Sequence, residues 1–115
     1  MRLTAEEILQ LVLTRLDDMK AEDILTIDLR NKSSIGDYMV VSSGRSQRHV
    51  GSVADRVLED LRDAGVAARS EGVPHCDWVL IDAGDVIVHV FRPEVRAFYN
   101  LEKMWTANLP VQRVS

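Results

Sequence analysis

The sequence predicts one α/β (α+β) domain in which helices pack on a mixed β-sheet, with elements in the order α-β-β-α-β-β-β-α. Three observations predict it. Two segments carry apolar residues at helical spacing. Several short apolar runs are bounded by turn-forming residues. No internal repeat or low-complexity tract interrupts them, and 115 residues leave room for a single core. The domain is expected over residues 1–105, with 106–115 as a flexible C-terminal tail.

Thr4-x-x-Glu7 is a capping-box pattern and sets the start of the first helix. Ile8, Leu9, Val12, Leu13, Leu16 and Met19 then form one apolar face. Ile24–Leu29 reads as a strand, the turn-rich Asn31–Gly36 as a link, and Tyr38–Ser43 as a second, well-buried strand. The loop Ser43–Ser46 opens the long helix, whose buried stripe is Val50, Val53, Ala54, Val57, Leu58 and Leu61. Gly65 suits its C-terminal stop, because glycine enters the left-handed conformation without a Cβ penalty. This helix is expected to be the crossover of a β-α-β unit. Val66–Ser70 is a weaker strand near an edge. Trp78–Ile81 and Val86–Phe91, joined by Asp82-Ala-Gly-Asp85, form a hairpin. Pro93 fits the first turn of a short helix reaching about Asn100.

Composition narrows the function. The chain carries a net charge of −4, and residues 1–91 alone hold 10 Lys and Arg against 16 Asp and Glu. An acidic body is a poor counterion for phosphate, so little or no direct nucleic-acid contact is expected. Docking to a basic protein suits it better. One cysteine, Cys76, can build neither an intrachain disulfide nor a structural zinc site, which fits a reducing compartment. No apolar run is long enough to span a bilayer, and the first residues lack the pattern of a leader peptide. A cytoplasmic protein without membrane attachment is the expectation.

Candidate chemistry is sparse. His75 and Cys76 are adjacent in an extended segment, so their side chains diverge and the histidine is not placed to activate the thiol. His49 and His89 complete no metal-binding spacing, and His89 is expected to be a hydrogen-bonded sheet residue sharing a face with Ile87 and Phe91. No catalytic residue, metal or cofactor is predicted. Aromatic side chains are the stronger signal. Alternation places Trp78, Leu80 and Asp82 on one face of the hairpin and Val79 with Ile81 on the other. Only one sheet face need be covered by the two long helices, so the first set is free to form a contact surface with Trp78 as anchor. Packing of Trp78 under the C-terminal segment, against Phe98 or Trp105, is the simpler reading from the residues alone. Tyr99, Leu101, Met104 and Trp105 pose the same choice between core and contact, and homodimerisation through this patch stays open.

The block DWVLIDAGDVIVHVF, the tail FYNLEKMW and the upstream run KSSIGDYMVVSSGRSQRHV together resemble the ribosomal silencing factor family, also called RsfS or Iojap. The resemblance implies a five-stranded mixed sheet flanked by helices and related to the nucleotidyltransferase fold. It implies a non-enzymatic translation factor that binds the large ribosomal subunit through universal large-subunit protein fourteen. Bound there, such a factor sterically blocks joining of the small subunit and represses translation under nutrient limitation. Carried onto this chain, contact roles fall to Trp78, Leu80 and Asp82 on the hairpin and to Tyr99, Leu101, Lys103 and Met104 in the tail. Asp77 and Arg92 are expected to fix the register by pairing with opposite charges. The rival from another class is a nucleotide-binding or nucleotidyltransferase-like enzyme using the Ser43–Ser46 loop at a helix N-terminus. That chemistry needs closely spaced carboxylates at neighbouring strand positions, and no Asp-x-Asp pair stands on a strand; a turn and helix cap around Ser46 is the better reading.

Overall fold

The computed structural model describes residues 3–30, 36–72, 77–94 and 111–113. Helix α1 spans Ala5–Asp18, strand β1 Glu22–Asp28 and strand β2 Tyr38–Ser43; helix α2 spans Gln47–Asp63. Strands β3 (Arg69–Glu71), β4 (Trp78–Asp82), β5 (Val86–Phe91) and β6 (Val111–Arg113) follow. The expected capping box closes α1: the Thr4 hydroxyl accepts from the Glu7 amide, and the Glu7 carboxylate accepts from the Thr4 amide. These bonds satisfy donors that the first helical turn would otherwise leave orphaned. Ser46 caps α2 by accepting from the His49 amide, and Gly65 follows the last turn with φ of 82°, as its place in the sequence predicts.

The sheet order is β3-β4-β5-β2-β1-β6. β2 and β5 pair in parallel at the centre, and every other neighbouring pair is antiparallel. The five expected strands all form. β6 adds three residues from the 106–115 segment to the open edge of β1, with Ile27 opposite Val111. β3 begins later than expected, at Arg69, because the Val66 amide still bonds back to the Leu61 carbonyl and holds the chain in the helix terminus. α2 is a crossover between the parallel strands β2 and β3, which lie three positions apart. Most of the helix expected from Pro93 to Asn100 lies outside the described residues, of which Pro93 and Glu94 open it.

Both helices pack on one face. Val12 and Leu16 from α1 and Val50, Val53, Val57 and Leu61 from α2, all fully buried, meet Val40, Val79, Ile81, Val88 and Val90 of the sheet. The stripe read from the sequence is therefore the core stripe, with Leu58 only half-buried at its margin. Ile27, Leu29, Met39, Val41 and Phe91 form a smaller cluster on the opposite face, against which Trp78 packs. Among the described residues no helix is long and apolar enough to cross a membrane.

Candidate functional site

The site grows out of the β4–β5 hairpin. Along β4 burial alternates: Val79 and Ile81 are fully buried under the helices, whereas Trp78, Leu80 and Asp82 point to the opposite face and are half-buried. This is the division that a two-residue period imposes on a strand. In β5 every residue is buried, and both of its edges are paired, with β4 on one side and β2 on the other.

Register sets the contacts of Trp78. It stands opposite Phe91, and Leu80 stands opposite His89, so His89 is its diagonal neighbour on the same face. The indole stacks on Phe91 with ring centres 5.0 Å apart, and its Nε1–H donates to Nδ1 of His89 at 3.0 Å. The imidazole in turn lies nearly parallel to Phe91, at 5.7 Å. Burial alone pulls the His89 pKa down from its ordinary value to about 4, because a charged ring would lose its hydration there. The expectation of a hydrogen-bonded sheet histidine is thus met, with Trp78 as the donor. Phe98 and Trp105, the other partners considered for Trp78, lie outside the described residues.

Charged groups frame the indole. The Arg92 amide donates to the Asp77 carbonyl at 2.9 Å, extending the hairpin ladder by one rung beyond β4 and β5. Their side chains meet as well, with Arg92 Nε 3.4 Å from Asp77 Oδ1, and Glu94 stands 3.4 Å from Arg92 on its other side. Gln47, the first residue of α2, donates to Asp77 at 3.0 Å. Asp77 and Arg92 therefore pair with each other across the hairpin base. At the far end of β4, Asp82 accepts from the Gly84 amide at 2.9 Å and holds the turn. The structure brings together Asp77, Trp78, Leu80, Asp82 and Arg92 on the β4–β5 hairpin, with Arg92 just past β5 and the others on or beside β4. Tyr99, Leu101, Lys103 and Met104 lie outside the described residues.

The Ser43–Ser46 loop has a different character. Its Gly44 amide donates to the Phe91 carbonyl, and its Arg45 amide to His49 Nδ1 at 2.9 Å. His49 Nε2 also reaches the carbonyl of Met19, the last residue capping α1, at 2.7 Å. One imidazole thus ties the end of α1 to the start of α2, a role the sequence reading did not find, since no spacing rule links Met19 to His49. A Cβ on Gly44 would stand 2.6 Å from Val50 Cγ2, so glycine is required there for helix packing. Among the described residues no group of three or more His, Cys, Asp or Glu side chains could hold a metal ion.

A family model described as "Ribosomal silencing factor during starvation" matches residues 2–115. The chain belongs to that family. It is 54% identical over 101 residues to the ribosomal silencing factor RsfS of Zymomonas mobilis, covering 87% of this chain and 76% of that protein. The RsfS of Halalkalibacterium halodurans is 40% identical, with 87% and 86% covered. The crystal structure of a Chromobacterium violaceum protein superposes with a TM-score of 0.88 at 39% identity, covering 94% of this chain and 91% of the other. The family places the protein in translation regulation and ribosome association, and the solved structure shares its α+β fold.

Proposed function

We propose that the protein docks the helix-free face of β4, led by Trp78, Leu80 and Asp82, onto universal large-subunit protein fourteen of the large ribosomal subunit. In this reading the bound protein occupies the face that meets the small subunit, blocks subunit joining and represses translation when nutrients are scarce. It acts in the cytoplasm by steric occlusion, with no catalytic step. The observation that carries the reading is the β4 column itself. In a member of a ribosomal silencing family, a half-buried tryptophan and leucine lie between Asp77 and Asp82 on a face the two helices leave uncovered. A large aromatic framed by charge is the usual form of an interface anchor. Carboxylates on an acidic body suit a basic ribosomal protein. Tyr99, Leu101, Lys103 and Met104 extend the docking surface in the same proposal.

Co-sedimentation with isolated large subunits tests it, with wild type beside Trp78→Ala and Asp82→Asn. The asparagine keeps an acceptor for the Gly84 amide and removes only the charge. Wild type is expected to pellet stoichiometrically, and Trp78→Ala to lose at least about tenfold in affinity. Folded wild type left in the supernatant at about micromolar concentration would overturn the reading.

A further inference from the structure

We propose that His89 is the positioning residue for Trp78: it accepts the indole N–H and thereby fixes the orientation in which the ring is presented at the docking surface. The inference rests on the ribosomal docking reading above. It begins from what fixes a tryptophan side chain. Two torsions must be set, and a stacking partner constrains the plane of the ring without choosing which edge points where. Phe91 supplies the stack, at 5.0 Å and 29°. The hydrogen bond from Nε1 to His89 Nδ1, 3.0 Å long, selects the edge.

That bond also determines the state of the imidazole. Since Nδ1 accepts, the ring proton resides on Nε2, and a doubly protonated ring would confront the indole N–H with a second donor. Burial, with His89 only 6% exposed, keeps the ring neutral and therefore an acceptor at neutral pH. His89 itself is held firmly. It lies in β5, flanked by β4 and β2, and its own carbonyl accepts from the Ser42 hydroxyl at 3.2 Å. The fully buried strand of the hairpin thus orients the half-buried residue of its neighbour. An anchor preorganised in this way loses less rotamer freedom on binding.

Two variants test the assignment. His89→Gln supplies an amide oxygen that can accept the indole N–H, whereas His89→Leu fills the space and cannot. The indole ¹H–¹⁵N resonance of Trp78, assigned with Trp78→Phe, reports the bond, and large-subunit affinity reports its effect. His89→Leu is expected to shift the Trp78 resonance and weaken binding by about tenfold, with His89→Gln within about threefold of wild type. An unmoved Trp78 resonance in folded His89→Leu would overturn the proposal whether or not any protein binds subunits. So would equal losses of binding in the two variants. Absence of binding by wild type refutes the docking reading alone, and the resonance still decides whether His89 holds the ring.

Discussion

The two faces of the sheet differ at the β4–β5 hairpin, although each has an aliphatic cluster. On the helix face, Val12, Leu16, Val50, Val53, Val57 and Leu61 meet a bed of valine and isoleucine, without a charged group in the cluster. On the other face a tryptophan, a histidine and a phenylalanine interlock, with Asp77 and Arg92 paired beside them. Aliphatic packing is non-directional and rewards burial alone. The aromatic–imidazole cluster is directional: each ring constrains its neighbour's orientation, at the cost of burying a polar ring that must find a partner. The contrast teaches that one face holds the fold while the margin of the other presents a shaped contact surface.

The largest effect should come from the helix face. Leu16→Ala or Leu61→Ala, each removing a fully buried side chain, is expected to cost about 2–5 kcal/mol of stability in urea unfolding. Subunit binding by the folded fraction should stay unchanged, and a specific loss of binding would break the contrast. Acid provides the next test, on the other face. The His89 pKa is about 4 when folded and near 6.5 when unfolded, so the unfolded chain takes up the proton first as pH falls. The stabilisation from keeping the ring neutral is complete above about pH 6.5 and is lost as pH drops towards 4. At pH 4.5 the loss amounts to about 2–3 kcal/mol relative to neutral pH. His89→Gln should lack that component, and an identical pH profile in the variant would contradict the assignment.

Smaller effects sharpen the separation. Gly44→Ala forces a methyl group against Val50 and should cost about 1–3 kcal/mol in thermal or urea unfolding. Because the requirement is one of packing, the folded variant should bind subunits normally. Thr4→Ala removes one arm of the α1 capping box and is expected to cost about 1 kcal/mol by the same measurement, again without effect on docking.

Much of this organisation is legible in the sequence because it depends on local periodicity. The capping box at Thr4, the α2 stripe and the division of β4 into Val79 and Ile81 against Trp78, Leu80 and Asp82 each need only a few neighbouring residues to read. What escapes is what depends on register between segments. Trp78 and His89 come together because Trp78 stands opposite Phe91, and shifting the hairpin by one residue would send the pair to opposite faces. The mutual pairing of Asp77 and Arg92 depends on the same register, so each reads in isolation as a charge awaiting an external partner. β6 has only one apolar residue in Val-Gln-Arg and takes its place from the edge that β1 offers, which no pattern within the three residues announces.

The parallel β2–β5 pair at the middle of the sheet carries a consequence for synthesis of the chain. It joins Tyr38 to Val86 and Ser43 to Phe91, so β2 is made long before its central neighbour exists. During translation α1, β1 and β2 leave the ribosome with one flank of Val40 and Val41 unpaired until residues 86–91 have emerged. An open flank on so apolar a strand can recruit a second nascent chain.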